Sequence, residues 1–387
     1  MTTLTGPSAF VPIRNIWLLQ IYASKLYQDG LIQNSEVEDP GVDLPELAST
    51  LLCDAVQHCL RKGPARDFVV ISRDVTRVRG RIDVLSTTRR SLFQKGRVAC
   101  TFDELSIDNP ENQLLRHALD HAARLVESTR RRSPVAQRCR HLARTLIDMG
   151  VHPRTIPPVL PRQVGRRALA HQSAAVAAAL LVLEMTVPDD SAHGVHLLQS
   201  PVYSEEALRK LFEKALVGLY RHHLEPAGWR IKGAEKLTWH ATGETGLLPT
   251  MQTDISMYTP EGDKIIADAK FTGMTDTYRN KEILKPQHLY QLHSYISQDG
   301  ASSGAAPVAG LLIYASMGVD LFASMNINGH AFRCATVDLT ADGPTIRRQA
   351  LKATGGLTST VATMSENPGE IHGSTVASRS TQNGNCA

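Results

Sequence analysis

The chain has 387 residues, 42% of them hydrophobic and 21% charged, which is typical of a folded globular protein with more than one core. Its net charge is +4, and its six cysteines include no Cys-x-x-Cys pair, which disfavours a disulfide framework or a zinc knuckle. The N-terminus lacks a basic stretch followed by an apolar core, and the longest apolar run is too short to span a bilayer, so we expect a cytoplasmic protein.

The first half of the chain predicts helices interrupted by short strands. A proline-initiated helix is expected over residues 12–27, and a second helix over 43–61. Strands are predicted at 68–72 and 79–84, and a further helix at 112–128. This order indicates a mixed α/β region rather than an all-helical one.

An arginine-rich segment follows these elements. From Arg116 to Arg167 the chain contains twelve arginines, three acidic residues and no lysine. Such a segment favours contact with nucleic acid or with an acidic partner. A solvated helical face is the simpler interpretation of a charge run considered alone. The prolines at 156–161 predict a linker, and an Ala/Leu-rich helix is expected over 168–185.

The second half of the chain predicts a helix, three strands, a helix and a strand in that order. We place the domain boundary near residues 186–200, and Ser204 is a suitable cap for the first helix. The predicted elements are a helix 204–221, a strand 236–239, a hairpin 251–258 and 264–271, a helix 284–297, and strands 308–314 and 331–337. After Lys352 the chain is rich in small polar residues and predicts a disordered tail.

The predicted hairpin carries the most informative residues. Its turn at 260–263 folds the two strands together and can bring Asp254 beside Asp268. Asp268 and Lys270 project from one face of their strand, roughly 6.6 Å apart along it. Two carboxylates, together with the nearby carbonyl of Ala269, suit one Mg²⁺ ion, while Lys270 can hold an attacking water. The pattern therefore indicates hydrolysis of a phosphodiester bond.

Two further side chains are candidates for the same site. Glu213 flanks the apolar stripe of the helix before the hairpin and could add a carboxylate. Gln291, on the helix after it, could bond the water or the phosphate. Each residue alone has a plainer explanation: Asp-x-Lys is more often a surface ion pair, and Glu213 is as well explained as an exposed helix charge. Their order on these elements carries the hypothesis.

At this point the sequence resembles the McrC-type restriction endonuclease subunit, a family within the PD-(D/E)xK nucleases. The resemblance covers most of residues 10–335 and combines weak motifs in a specific order. The segments that carry it are Val11-Pro12-Ile13-Arg14-Asn15-Ile16, Val78-Arg79-Gly80-Arg81-Ile82-Asp83, Phe102 to Asn112, Leu211-Phe212-Glu213, Leu248 to Asp254, Asp268-Ala269-Lys270 and Tyr290-Gln291-Leu292.

The resemblance implies an α/β (α+β) fold with a partner-binding N-terminal domain at 1–190 and an αβββαβ nuclease core at 200–350. The predicted disordered tail at 353–387 lies outside the resemblance. It implies Mg²⁺-dependent DNA cleavage by a catalytic trio that maps onto Asp254, Asp268 and Lys270, with Glu213 and Gln291 as further site residues. Asp254, Asp268 and Ala269 are the expected metal ligands.

The implied partners are an McrB-type AAA+ GTPase ring and double-stranded DNA. The best-known systems of this family cut DNA that contains modified cytosine, and the partner reads the mark. The chain has no Gly-Lys dipeptide and so no Walker A loop, which fits a system in which the partner hydrolyses the nucleotide. The alternative is a non-catalytic adaptor that binds and stimulates a ring NTPase while its nuclease site has decayed.

Overall fold

The computed structural model describes residues 11–130, 132–152, 164, 172–185, 205–239, 241–272, 275–278, 281–303 and 308–357. The predicted linker at 156–161, the predicted boundary at 186–200, the Ser204 cap and residues 358–387 of the predicted tail lie outside this part of the chain. None of the helices in the described ranges is long and apolar enough to cross a bilayer.

The α-helices fall into an N-terminal group and a group that flanks a large sheet. The N-terminal helices are α1 (Ile13–Ala23), α2 (Lys25–Gln28), α3 (Asn34–Val37), α4 (Leu44–Lys62), α5 (Val84–Arg89), α6 (Pro110–Thr129), α7 (Pro134–Asp148) and α8 (Ser173–Glu184). The later helices are α9 (Glu205–Leu224), α10 (Pro286–Ser303) and α11 (Gly343–Thr354).

The strands form one large sheet and three small ones. In chain order they are β1 (Asp67–Val75), β2 (Arg81–Ile82), β3 (Val98–Ser106), β4 (Arg230–Gly233), β5 (Lys236–Leu237), β6 (Met251–Gln252), β7 (Ile255–Tyr258), β8 (Lys264–Lys270), β9 (Thr275–Tyr278), β10 (Lys281–Leu284), β11 (Ala309–Ser316), β12 (Phe322–Ile327) and β13 (His330–Asp338).

Local capping explains where two N-terminal helices begin. The Asp43 side chain accepts a hydrogen bond from the backbone N–H of Glu46 at the start of α4. Asn109 caps α6 in the same way, accepting from the N–H of Asn112, and a proline occupies the first position of α6. Both caps satisfy backbone donors that the helix itself leaves unpaired. The predictions of helices at 43–61 and 112–128 are confirmed within two residues at each end.

The large sheet has the strand order β12-β13-β11-β8-β7-β4. β8 lies near its centre, parallel to β11 and antiparallel to β7. α9 packs against one side of β8, while α10 packs against β8 and β11 from the side of a second, smaller core. The α/β (α+β) class is confirmed as mixed helices with a mixed sheet.

The two halves of the chain share one continuous apolar core. α1 packs against α9, and Asn15 on α1 donates hydrogen bonds to the carbonyls of Leu339 (2.7 Å) and Ala341 (2.9 Å) after β13. Gly218 on α9 permits the close approach, because a Cβ there would lie 1.9 Å from the carbonyl oxygen of Tyr22. The N-terminal helix is thereby built into the half that carries the large sheet.

Several sequence-based element predictions were wrong in detail. The predicted strand 236–239 is reduced to β5, which pairs with β6 outside the large sheet, and its place beside β7 is taken by β4. Residues 79–84 form only the two-residue strand β2, because Asp83 caps α5 immediately afterwards. The helix expected over 12–27 breaks at Ser24, which accepts a hydrogen bond from the N–H of Tyr27 and starts α2.

Candidate active site

Strand β8 carries two of the predicted residues on one face. Ile265, Ala267 and Ala269 face the main core, so the alternating positions of Asp268 and Lys270 share the face of β8 that is covered by α10. The Nζ atom of Lys270 lies 2.7 Å from Oδ2 of Asp268. Asp268 is only 1% exposed, which is unusual for a carboxylate.

Asp254 approaches the same point from the neighbouring strand. The antiparallel register pairs Ile255 with Ala267, so the next position places Asp254 opposite Asp268. Its Oδ2 accepts a hydrogen bond from the backbone N–H of Ala269 at 2.9 Å. The predicted hairpin therefore forms and brings the two carboxylates together, although its first strand is divided into β6 and β7 at residues 253–254.

Gln291 on α10 completes a polar chain with the lysine. Lys270 Nζ donates to Oε1 of Gln291 at 2.9 Å, and Gln291 Nε2 donates to the hydroxyl of Tyr295 at 2.9 Å. The amide orientation is thus set from both ends, and it holds the ammonium group near Asp268. Tyr295 was not identified from the sequence, although its i+4 spacing from Gln291 on a helix was a usable signal.

Glu213 reaches this region from α9. Its Oε1 atom is buried, accepts no hydrogen bond among the described residues and lies 3.4 Å from a guanidinium nitrogen of Arg209. Burial, followed by the negative charge of Asp254, raises the pKa of Glu213 to about 7. Lys270 and Arg209 oppose that shift, so Glu213 is electrostatically part of the cluster.

The same forces act on Asp268. Burial and, after it, the charge of Asp254 raise the pKa of Asp268, the ammonium of Lys270 opposes both, and the net result is a pKa of about 7. Two carboxylates close together in a buried, low-dielectric environment favour retaining a proton, which would be lost to solvent when a cation binds in its place. The site is therefore short of positive charge.

The donor set fits one Mg²⁺ ion. Mg²⁺ is usually held by one or two carboxylates and keeps several waters, which matches Asp254 and Asp268 with the adjacent carbonyl of Ala269. Oδ2 of Asp268 is buried and has only the ammonium of Lys270 beside it among the described residues. Within the same residues, no group of three or more His, Cys, Asp and Glu side chains is placed to hold a metal ion. An ion here would therefore be held by the two aspartates, with water or phosphate completing its coordination.

A tyrosine and a histidine lie next to the cluster and were missed from the sequence. Tyr314 on β11 is paired in register with Lys270, and its hydroxyl lies 3.0 Å from Nδ1 of His288. Burial raises the pKa of the Tyr314 hydroxyl, and the charge of Asp268 adds to the shift. Tyr314 resembles an ordinary core residue in the sequence, because the residues before it are apolar.

Other segments behind the family resemblance have structural roles. Arg14 donates to the carbonyl of Val42 at 3.0 Å, which ties α1 to the loop before α4. Asn112 donates to the carbonyls of Ala65 (2.9 Å) and Ile107 (2.8 Å). Gly80 has a positive φ, and a Cβ there would lie 2.5 Å from the carbonyl of Thr101.

Comparison with known proteins identifies the family of this chain. The model of the family described as "McrBC 5-methylcytosine restriction system component" matches residues 14–315. The chain belongs to this family. It is also 25% identical over 347 residues to the Escherichia coli K12 protein named "Type IV methyl-directed restriction enzyme EcoKMcrBC", covering 88% of this chain and 96% of that protein.

Two solved assemblies from Thermococcus gammatolerans also show similarity. One is a half-complex of McrB AAA+ hexamers with bound McrC, with a TM-score of 0.41, 14% identity, and coverage of 90% of this chain and 79% of that one. The other is an McrBC complex, with a TM-score of 0.29, 16% identity, and coverage of 46% and 52%. The family assignment rests on the sequence match.

Proposed function

We propose that this chain is the nuclease subunit of an McrBC-like restriction system, which hydrolyses DNA phosphodiester bonds with Mg²⁺ and is driven by a partner AAA+ GTPase. The observation that carries the proposal is the convergence of Asp254, Asp268 and Lys270 at one point of the large sheet. Membership of a restriction-system family supports DNA, including DNA with modified cytosine, as the substrate.

Each residue of the cluster has a distinct task in this reaction. Asp254 and Asp268 would hold Mg²⁺, with the carbonyl of Ala269 beside them. The ion would polarise the scissile phosphate and lower the pKa of a bound water. Lys270, oriented by Gln291, directs a positive charge at the attacking water and at the phosphate oxygens. Glu213, with its pKa near 7, can accept a proton as the water attacks.

The strand arrangement supports a PD-(D/E)xK core in particular. In this proposal the core runs from α9 through β4, β7 and β8 to α10 and β11. Asp254 precedes β7, and the Asp-x-Lys pair ends β8 at the centre of the sheet. That position exposes one end of the cluster to solvent beside Gln291, where a DNA strand can approach.

A surface on the small N-terminal sheet is suited to the ring partner. Phe68 and Leu105 face each other across β1 and β3, and Val70 lies two residues along the same face. These three side chains, here called the strand patch, are 68%, 51% and 66% exposed, respectively. An apolar patch of this kind on a soluble protein marks a contact surface. We propose that it binds the AAA+ ring.

The test is cleavage by the reconstituted complex. Plasmid DNA with and without modified cytosine is incubated with the chain, its ring partner, GTP and Mg²⁺, and the products are resolved on a gel. We expect cutting with all components, none after Mg²⁺ is chelated, and little by this chain alone. Efficient cutting by the lone chain, or by the complex in excess chelator, contradicts the proposal.

The adaptor alternative makes the opposite prediction in the same assay. An adaptor would stimulate GTP hydrolysis by the ring while no condition yields cleavage. The convergence of Asp254, Asp268 and Lys270 favours the enzyme. A site without catalytic function would not be expected to retain a buried Asp268 beside Lys270.

A further inference from the structure

A groove between α6 and α7 uses part of the arginine-rich segment that the nuclease site leaves unexplained. Its volume is about 330 Å³. Ala123 and Ala143, both buried, form its floor, and Arg124, Arg140 and Arg144 line its sides. The small alanines let the two helices approach closely, so the longer arginines rise around a concave surface. We call this feature the arginine groove.

Two acidic residues in and beside the groove, Asp120 and Glu127, already have arginine partners. Asp120 in its lining lies 2.6 Å from a guanidinium nitrogen of Arg116, and Glu127 forms an ion pair with Arg140. Arg124 and Arg144 are exposed, and neither forms an ion pair with any residue in the described ranges. Two positive charges in the groove are therefore left for a ligand.

Arginines nearby on the same two helices are used differently. Arg138 pairs with Asp54 at 2.6 Å, and Arg130 pairs with Glu46 at 3.3 Å, so both fasten the α6–α7 hairpin to α4. The segment thus separates into arginines that hold helices together and arginines that face a concavity. This separation disfavours the interpretation of the whole segment as a solvated helical face.

The chemistry of the groove favours the backbone of duplex DNA over other ligands. Residues 107–152 contain no Phe, Tyr or Trp, whereas protein interfaces concentrate their binding energy in aromatic anchors and single-stranded nucleic acid is held by stacking on aromatic rings. The guanidinium fork instead matches the paired oxygens of a phosphate.

We propose that the arginine groove binds the phosphate backbone of duplex DNA through Arg124 and Arg144, independently of base sequence. The proposal rests on the proposed nuclease function for its ligand, and it adds a place where DNA is held by residues outside the cutting cluster. Neutralising two phosphates releases counterions, so binding at this groove depends strongly on salt.

The experiment measures binding of the full chain to a labelled duplex of arbitrary sequence by fluorescence anisotropy, with chelator present to prevent cutting. The variant is Arg124→Ala with Arg144→Ala, and the matched control is Arg61→Ala with Arg348→Ala, which removes two exposed arginines from other helices. At roughly 0.9 counterions per phosphate contact, raising salt from 50 to 200 mM should weaken wild-type binding about twelvefold more than it weakens the groove variant. The control should follow the wild type.

An unchanged salt dependence in the groove variant overturns the proposal. So does a variant that binds duplex normally but assembles poorly with the AAA+ ring, because the groove would then be a protein contact. Equal thermal unfolding of both double variants establishes that neither has lost its fold. If the reconstituted complex never cuts DNA while the groove variant still shows the reduced salt dependence, the nuclease assignment fails and the groove proposal stands.

Discussion

The two sheets that carry the proposed functions both depart from the usual distribution of side chains. One exposes apolar side chains to water, and the other buries a carboxylate. The small sheet β1-β3-β2 exposes Phe68 and Val70, at 68% and 66%. The large sheet buries Asp268 at 1% exposure in its centre. The first sheet leaves apolar surface in water, and the second places a carboxylate in a low-dielectric interior.

Neither arrangement helps the chain to fold. An exposed aromatic side chain forgoes roughly 2 kcal/mol that burial would contribute, and a buried charged group costs several kcal/mol unless it is paired. Under the proposed function each feature has a binding partner: the AAA+ ring on the small sheet, and a cation with phosphate on the large one. The comparison teaches that the two proposed sites depart from ordinary folding preferences in different ways, because they are proposed to bind different ligands.

The largest effect is expected at the buried carboxylate. Asp268→Asn keeps the size of the side chain but removes a metal ligand, so cleavage by the reconstituted complex should fall on the order of ten-thousandfold, the scale for removing one member of a catalytic unit. Partner binding should be unaffected, and the free energy of unfolding should change little, because removing a carboxylate whose pKa burial raises to about 7 offsets the loss of its ion pair with Lys270. Gel-based cleavage and urea denaturation measure the two quantities.

Asp320→Asn is the matched control for that change, since Asp320 is exposed and lies far along the chain from the trio. It should cut like the wild type. Mg²⁺-dependent cleavage retained by Asp268→Asn would remove the basis for treating the large sheet as catalytic.

A smaller effect is expected at the strand patch. Phe68→Thr with Leu105→Thr retains strand propensity while removing apolar contact, so association with the AAA+ ring should weaken by about a hundredfold, the range for losing a central interface anchor. Pull-down or surface plasmon resonance with the purified ring measures the change. The nuclease cluster should be untouched.

Leu31→Thr with Val319→Thr serves as the control, because both residues are 54% exposed and lie outside the small sheet. Equal weakening of the ring complex by both pairs would show that the strand patch does not bind the AAA+ ring in particular. The small sheet would then have no proposed ligand to compare with that of the large sheet.

The smallest effect is a pH dependence at Glu213. Burial raises its pKa from 4.5 to about 7, so between these values the folded chain holds a proton that the unfolded chain has released. In metal-free protein the free energy of unfolding should therefore fall by about 1–3 kcal/mol as the pH rises from 4.5 to 7. Glu213→Gln should reduce this slope in urea titrations at several pH values, and the slope that remains is the contribution of Asp268, whose pKa is also raised to about 7.

Glu206→Gln, on the exposed side of the same helix, should leave the profile as it is in the wild type. If Glu213→Gln and wild type show the same slope, the carboxyl of Glu213 is not part of the electrostatic cluster at the end of β8.

Local patterns were sufficient for the hairpin and for several helix starts. A turn-forming segment between two apolar strands specified that Asp254 and Asp268 would meet, since antiparallel register depends on near neighbours in the chain. The starts of α4 and α6 also depend on local sequence, because Asp43 and Asn109 cap donors only three residues away. The choice between β4 and β5 beside β7 was missed, because short strands of similar composition are distinguished only by what they pack against.

The amino-acid sequence by itself determined which residue types stand at which spacing: two carboxylates and a lysine on a hairpin, and a run of arginines without lysine. Only the tertiary structure decided that Gln291 holds Lys270 and that the charge of Asp254 acts on Glu213. It also decided that Arg124 and Arg144 in the groove pair with no acidic residue of the described ranges, whereas Arg138 pairs with Asp54. The physical reason is how far apart along the chain the interacting residues lie. Turns and caps depend on neighbours along the chain, whereas burial, charge pairing and concavity depend on elements that folding brings together from distant positions.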